Sequence, residues 1–392
     1  MNTTILLFLL QDGITNGAIY ALLGLALVLV FAVTRVILIP QGEFVTYGAL
    51  TYASLAAGRM PGTAKLAVVV GLIAVAFDLY AMRKTLHGPK ILRTFGLNVA
   101  FPVVVLLASM WAADQRVPAG VSLVLSLLIV ASIGLSLYRI VFQPLAHTSV
   151  LVLLIASVGT HLALQGLGLL FFGAEGQRGP TLLTANVTLG SLRFTGQGMA
   201  VYGITIAFIV GLWLFFGLTL YGKALRATAV NRLGARLVGI RTTLSGQIAF
   251  LLASTIGALS GILIVPITTL YYDTGFLIGL KGFIAAIIGG LISYPLTAVA
   301  ALVVGIVGVL DVGRQRHMAV SLQQRERVAG KAQVEQAVVG PAAAQHLGVE
   351  GIGEAHAAAG LGALAGAQMH PHLTRAGQHT LHQRLDVAAR RL

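Results

Sequence analysis

Long runs without a charged residue limit what this sequence can fold into. Crossing the hydrocarbon core of a bilayer takes about 20 apolar residues in a helix. Uncharged runs of about that length or longer occupy residues 14–33, 95–113, 117–138, 194–222, 242–272 and 282–310. Shorter or interrupted apolar segments occupy residues 44–57, 66–82 and 148–174. The sequence therefore predicts a protein that crosses a membrane many times.

The lipid environment determines the secondary structure of these runs. Backbone N–H and C=O groups in lipid must be hydrogen-bonded within the protein, which helices and closed β-barrels achieve. The runs lack the alternation of apolar and polar residues that barrel strands show. Only 10% of the residues are charged, too few to cover a water-exposed surface. We predict an all-α, polytopic integral membrane bundle of about eight to ten transmembrane helices. Pro295 leaves two arrangements open for the last run, which are two short elements, one of them re-entrant, or one long helix.

The basic residues predict the orientation of this bundle. A net charge of +14 would suggest nucleic-acid binding in a soluble protein, but here the charge lies in short loops, and no nucleic-acid partner is expected. Two clusters, at residues 83–93 and 222–241, contain no acidic residue, and four apolar segments separate them, so both lie on one face. The positive-inside rule makes that face cytoplasmic, which puts the N-terminus outside.

Composition divides the chain near residue 310. Residues 1–310 form one transmembrane domain, because the loops are too short to hold another domain. Residues 311–392 contain no Phe, Tyr or Trp, and they hold seven of the ten histidines among Ala, Gly, Gln and Arg. Such a segment has little to pack into a core. We expect a disordered or weakly helical low-complexity tail, which either a shifted reading frame or a lineage-specific extension would explain.

One basic stretch carries the strongest functional signal. It lies in the cytoplasmic loop at residues 222–246 and, by charge alone, it could be only an orientation signal. Its pattern resembles the coupling loop of branched-chain amino-acid ABC permeases, the LIV type, in which a short helix with an Ala-rich start and a Gly-Ile end docks into the ATPase. The residues of this coupling loop are Lys223, Arg226, Ala227, Arg232, Gly234, Ala235, Arg236, Leu237, Gly239 and Ile240. Here Gly234 and Gly239 would end the helix or allow close approach, and Leu237 and Ile240 would supply apolar contact.

Further stretches resemble the same family. Residues 16–44 resemble its opening helices, residues 153–165 a central segment, and residues 279–290 its late Gly-rich segment. Leu38, Ile39 and Pro40 replace the usual Asn-Phe-Ala, so the exact substrate is open. The resemblance covers most of residues 12–307, with an atypical stretch around 60–115, and it stops beyond Gly308.

The resemblance implies a transport subunit and not an enzyme, in the bacterial cytoplasmic (inner) membrane. An external binding protein would deliver the amino acid, two permease subunits would form the path, and two ATPases would drive alternating access. ATP and Mg²⁺ would bind the ATPase subunits, so no cofactor is expected on this chain. Residues 217–223 match the spacing of a phosphate-binding loop, but Ala224 stands where a magnesium-binding Ser or Thr is needed.

Polar residues in or beside the apolar runs are candidates for the substrate path, because ionisable groups in a membrane are costly. Gln41, Gly42 and Glu43 follow a proline break, where non-helical backbone can line a cavity. His161 and Gln165 lie four residues apart on one helix face. Each set also has a purely structural alternative, which is helix capping for Glu43 and hydrogen bonding between helices for His161 and Gln165.

Other functions fit the sequence less well. The same architecture could import urea, short amides or sugars. A stand-alone secondary transporter would show two similar halves and paired intramembrane charges, and an embedded enzyme would show metal-ligand spacing or an activated nucleophile. The sequence shows none of these features. We therefore predict the import of branched-chain or related small amino acids.

The charge pattern makes a testable prediction about topology. The chain contains no cysteine, so a single Cys introduced at Thr85 reports on one loop. We expect that a membrane-impermeant maleimide outside intact cells leaves Thr85→Cys unlabelled, and that permeabilised cells are labelled. Labelling from outside would show that the predicted orientation is wrong.

Overall fold

A computed structural model describes residues 3–82, 99–115, 117–189 and 192–312. In these ranges the α-helices, in chain order, are α1 (Thr3–Thr34), α2 (Gln41–Ala56), α3 (Gly62–Met82), α4 (Phe101–Gln115), α5 (Ala119–Leu137), α6 (Val150–Phe172), α7 (Gly196–Leu218), α8 (Leu220–Val230), α9 (Arg232–Leu237), α10 (Thr242–Ile264), α11 (Thr274–Ile288) and α12 (Tyr294–Val312). A π-helical segment, Tyr138–Phe142, extends α5. Two short strands, β1 (Val187–Leu189) and β2 (Leu192–Phe194), pair antiparallel.

Seven helical stretches in the described part of the chain are long and apolar enough to cross a membrane. They are Leu6–Thr34, Gly62–Leu79, Ala119–Phe142, Val150–Phe172, Gly196–Leu218, Thr242–Ile264 and Tyr294–Val312. The shorter helices α2, α4 and α11, of 16, 15 and 15 residues, add to them. The predicted fold class, a polytopic helical membrane bundle, is confirmed.

The centre of the bundle is formed by α1, α2 and α10. Every residue of α2 from Gln41 to Leu55 is buried, and most of the apolar span of α1 is buried as well. A helix that is apolar all round belongs in the interior of a larger bundle. In α6, α7 and α12, by contrast, most of the apolar span is not buried, so these helices form the outer layer.

Glycines allow the central helices to approach closely. A Cβ atom built on Gly261 of α10 would overlap the carbonyl oxygen of Val45 in α2. A Cβ atom on Gly13 or Gly17 of α1 would lie 2.8 Å from a backbone atom of α12. Small residues four positions apart are typical of closely packed membrane helices.

The connection between α1 and α2 lies inside the bundle. Ser157 Oγ of α6 accepts a hydrogen bond from the Ile39 N–H at 3.0 Å and donates one to the Ile37 carbonyl at 2.7 Å. At the start of α2, Gln41 Nε2 donates to the Ala253 carbonyl at 3.1 Å, halfway along α10. Because α10 has the length of a membrane span, α2 begins near the middle of the membrane. Non-helical backbone is tolerated at that depth because protein covers it.

The last apolar run is divided in two, which is one of the two arrangements that Pro295 leaves open. Helix α11 ends at Ile288 and α12 begins at Tyr294, so Pro295 occupies the first turn of α12, where a missing N–H breaks no helical bond. In the turn between them, Gly290 and Leu291 have φ angles of 73° and 58°. Helix α12 runs antiparallel to α1, since Leu302 lies beside Gly17 and Ile306 beside Gly13.

Two of the predicted regions fall outside the described residues. The cytoplasmic loop at 83–93 lies within residues 83–98, and nearly all of the tail at 311–392 lies within residues 313–392. Both remain predictions. Helix α12 continues to Val312, two residues beyond the predicted end of the membrane domain at Leu310.

The close approach of α2 and α10 yields a prediction about stability. Gly261→Leu places a side chain against the Val45 carbonyl, so overpacking should destabilise the bundle by about 1–3 kcal/mol. The variant should lose monodisperse protein at a lower temperature than the wild type. Size-exclusion chromatography of samples heated to increasing temperatures measures this loss. The matched control is Gly211→Leu on α7, where a Cβ meets nothing within 4 Å. Equal thermal stability of the two variants would contradict the packing argument.

Candidate functional site

The basic segment at residues 222–241 forms two short helices instead of the single helix that the resemblance implies. Arg226 and Ala227 lie in α8, and Arg232, Gly234, Arg236 and Leu237 lie in α9. Asn231 separates them with extended backbone angles, φ −147° and ψ 102°. Its Oδ1 accepts a hydrogen bond from the Gly234 N–H at 2.9 Å. An asparagine N-cap of this kind stabilises a new helix start, which explains the break. We call residues 220–241 the docking segment.

Gly239 ends the second helix of the docking segment. Its φ of 85° lies in the left-handed region that glycine adopts without steric cost. The Gly239 N–H donates to the Arg236 carbonyl at 3.0 Å, and the Ile240 N–H donates to the Ala235 carbonyl at 2.9 Å. This is a glycine C-cap, as the sequence predicts for Gly239. Gly234, in contrast, lies inside α9 and does not end a helix.

The docking segment exposes large apolar side chains. Val230 is 86% exposed and Leu237 82%, and Leu233 and Val238 are also exposed. Exposed apolar residues grouped in a polar segment mark a protein contact surface. The sequence pattern identified Leu237 but missed the other three, because they are ordinary apolar residues of an amphipathic segment. Ile240, the other predicted apolar contact, is only partly exposed.

Two of the predicted arginines attach the docking segment to the bundle. Arg232 Nη1 donates to the Ala146 carbonyl at 3.1 Å, just before α6 begins. Arg236 Nε donates to Thr242 Oγ1 at 3.0 Å, at the start of α10. These side chains therefore hold the segment in place, whereas Arg226 is exposed and free to contact another protein.

An ion pair places the end of α3 at the same end of the bundle as the docking segment. Arg139 Nη1 lies 3.6 Å from Asp78 Oδ2. Arg139 shortly precedes Ala146, which contacts the docking segment. The described end of α3 therefore lies at the same end of the bundle as the docking segment, and the side of residues 83–93, outside the described residues, stays a prediction.

Glu43 and His161 meet in the interior of the bundle. The Glu43 side chain, in the first turn of α2, is fully buried, and His161 of α6 is nearly so. Glu43 Oε1 and His161 Nδ1 are 3.0 Å apart. Within the described residues neither oxygen of Glu43 has a hydrogen-bond donor, so the contact is electrostatic. With His161 protonated it is an ion pair between membrane-embedded helices, where unpaired charge is costly.

The starts of α2 and α11 lie side by side at this point. A Cβ atom on Gly42 would lie 2.6 Å from the Gly275 carbonyl oxygen, so Gly42 is needed for the close approach. The Gly275 N–H donates to Thr46 Oγ1 at 3.0 Å. Asp273, exposed at the N-cap position of α11, acts electrostatically on Glu43. Interrupted helices that meet near the membrane centre are typical of substrate sites in transporters.

The other predicted path residues take different positions. Gln41 turns towards α10, and Gln165 lies half-buried one helical turn beyond His161. Phe276 of α11 stacks on His161 with ring centroids 4.5 Å apart. The sequence did not single out Phe276 or Asp273, because no local spacing connects α11 with α6. Among the described residues, no group of three or more His, Cys, Asp or Glu side chains could hold a metal ion.

Sequence comparisons identify the family. The profile of the branched-chain amino acid transport system permease component matches residues 9–313. The chain belongs to this family. The permease is 27% identical over 256 residues to the high-affinity branched-chain amino acid transport system permease protein BraD of Pseudomonas aeruginosa, over 64% of this chain and 82% of that protein. It is 24% identical over 260 residues to the corresponding LivH proteins of Salmonella typhimurium and Escherichia coli, with the same coverage of 64% and 82%. No solved structure matches it significantly.

Family membership confirms the predicted class of protein. The relatives are transport permease components, so the permease is a transport subunit and not an enzyme. With seven membrane-spanning stretches in its described part, it is a multi-pass membrane protein. Permeases of this kind work with ATPase and substrate-binding partners.

The N-cap of α9 yields a prediction about local order. Asn231→Ala removes the bond to the Gly234 N–H, which costs about 1 kcal/mol, so α9 should fray. We expect faster trypsin cleavage after Arg232 and Arg236 in the detergent-solubilised permease, with unchanged membrane insertion. Asn231→Asp keeps a side-chain acceptor and should retain wild-type protection. Equal protection of the Ala variant would show that the cap does not order the segment.

Proposed function

We propose that the permease forms the membrane path of an ATP-driven importer of branched-chain or related small amino acids in the bacterial cytoplasmic membrane. The observation that carries this proposal is the family match, which extends over residues 9–313 and so includes every described membrane helix apart from the first residues of α1. The relatives BraD and LivH are named as high-affinity branched-chain amino acid permeases. ATP and Mg²⁺ bind the partner ATPase, and this chain needs no cofactor of its own.

The docking segment is the surface that receives the ATPase. Its exposed apolar residues, Val230, Leu233, Leu237 and Val238, lie among the exposed basic residues Lys223, Arg226 and Arg241. In the predicted topology they face the cytoplasm, where exposed leucine and valine are unfavourable unless a protein covers them. The capped ends of α9 hold this surface in one conformation, so docking requires little ordering of the chain.

The opposite end of the bundle is suited to an external binding protein. Helix α6 begins at the docking end and α7 returns to it, so the connection between them lies at the far end. This connection is fixed to the segment before α11, since Gln177 pairs with Leu270 and Arg178 Nε donates to the Pro266 carbonyl at 3.1 Å. An ordered surface there would receive the substrate from its carrier.

A second permease subunit and lipid would cover the outer helices. Helices α6, α7 and α12 expose rows of apolar side chains, among them Leu170, Trp213 and Val299. The substrate would pass beside α6, where Gln165 and His161 lie on one face. Transport on this reading is mechanical: the ATPase moves the docking segment, and the hydrogen bond from Arg232 to Ala146 carries the movement to α6.

Docking through apolar contact yields a prediction that separates it from charge. Leu237→Asp should reduce co-purification of the ATPase by about tenfold or more and lower ATP-dependent leucine uptake in vesicles, because an exposed apolar contact is lost. The matched control is Arg241→Gln, which makes the same change in net charge but leaves the apolar residues intact.

If the apolar residues make the contact, Leu237→Asp loses ATPase binding and uptake whereas Arg241→Gln keeps both. If Leu237→Asp shows uptake and complex formation at the wild-type level, the segment is only an orientation signal. Equal losses in both variants would show that its positive charge, and not its apolar surface, recruits the ATPase.

A further inference from the structure

Four buried polar atoms around the start of α2 have no hydrogen-bond partner within the described residues. They are Gln41 Oε1, both carboxylate oxygens of Glu43, and Nδ1 of His161; of these, Glu43 Oε1 and His161 Nδ1 lie 3.0 Å from each other. Buried polar atoms are nearly always hydrogen-bonded, so a group of unpartnered atoms in one place requires an explanation. Glu43 Oε2 and Gln41 Oε1 have no such contact in the described part of the chain, and an unsatisfied oxygen on a fully buried carboxylate is costly unless it serves a function.

Glu43 and His161 provide the two charges that complement an α-amino acid. The amino-acid zwitterion carries an ammonium and a carboxylate group on one carbon atom. A carboxylate side chain accepts hydrogen bonds from the ammonium group, and a protonated imidazole donates to the carboxylate. In the closed arrangement a Glu43 carboxylate and a protonated His161, 3.0 Å apart, would neutralise each other. If they separate, each charge loses its partner inside the membrane, and a zwitterion between them would restore both pairs.

The surroundings of the pair match an amino acid with a branched apolar side chain. Phe276 stacks on His161, and the Tyr47 ring lies 6.0 Å from that of Phe172 at the end of α6. Phe276 provides apolar surface directly beside the pair, and Tyr47, one turn after Glu43, places a second ring in the same region of α2. Asp273 adds a second carboxylate near Glu43, which makes this side of the site acidic and favours an ammonium group.

Helix α6 is the element placed to separate the pair. Helix α2 is buried along its length, whereas most of the apolar span of α6 is not. The chain enters α6 directly after Ala146, whose carbonyl accepts the hydrogen bond from Arg232 of the docking segment. A movement of that segment therefore acts on the helix that carries His161.

We propose that Glu43 and His161 form an exchange site for the substrate zwitterion. In the empty permease they pair with each other, and during transport Glu43 binds the ammonium group of the amino acid while His161 binds its carboxylate. This inference rests on the proposed function, since it names the groups by which the same path recognises its cargo.

The test is binding of radiolabelled leucine to the purified complex of permease subunits and ATPases, without the binding protein. Competitors are leucinamide, which lacks the carboxylate, and 4-methylpentanoate, which lacks the ammonium group. We expect wild type to prefer leucine to both. Glu43→Gln should weaken leucine binding by about tenfold to a hundredfold and lose the preference over 4-methylpentanoate. His161→Gln should weaken it similarly and lose the preference over leucinamide.

Two further variants control for structural damage. Thr51 of α2 and Thr63 of α3 are buried with hydroxyl oxygens 2.7 Å apart, so Thr51→Val with Thr63→Val removes another buried polar contact of the same helix. This double variant should keep the wild-type preferences. Glu43→Asp keeps the charge and should keep the preference over 4-methylpentanoate. If the Gln variants bind all three compounds with equally reduced affinity, the pair only joins helices and the exchange site is wrong.

Uptake in vesicles distinguishes the two levels of the argument. Wild-type permease is first assembled with its ATPases and binding protein and tested for leucine uptake. Failure of this uptake would overturn the proposed function itself. Two other results would show that the exchange site is wrong and would leave the proposed function in place. In both of them uptake proceeds, but either the wild-type complex binds no leucine or both Gln variants keep the wild-type preferences.

Discussion

The hydroxyl of Ser157 bonds the backbone on both sides of Leu38, and this contact makes the interruption between α1 and α2 possible. In a membrane interior a non-helical backbone has no water to bond, so protein must supply the partners. With them in place, α2 can begin at the depth of Ala253 and end at the far surface. The position of Glu43, the approach of α11 through Gly42, and the contact with His161 all follow from that starting depth.

Much of the fold could be predicted from the sequence, because the membrane imposes a simple rule of length and apolarity. The spans of α1, α6 and α10 follow from it, and the division between α11 and α12 is one of the two arrangements that Pro295 leaves open. The break at Asn231 was not predicted, because it depends on one side-chain bond to the Gly234 N–H and leaves no trace in apolar periodicity.

The sequence predicted some residues of the candidate site but not the contacts between them. Glu43 and His161 each stood out as ionisable groups beside or within apolar runs, but nothing in a linear pattern says that they touch. Their contact depends on how α2 packs against α6, and Phe276 and Asp273 join them only through the turn into α11. Tertiary contacts of this kind arise from the packing of several helices, which the periodicity of a single helix does not encode.

The docking segment also bears on the permease before it is assembled. In the predicted topology, a subunit made without its ATPase would keep Val230 and Leu237 in water, where exposed apolar side chains favour self-association and recognition by chaperones and proteases. Binding of the ATPase there, as proposed, would remove that signal. If these residues receive the ATPase as proposed, they would also make the lifetime of the subunit depend on its partner, so that incomplete transporters would be cleared and complete ones would persist.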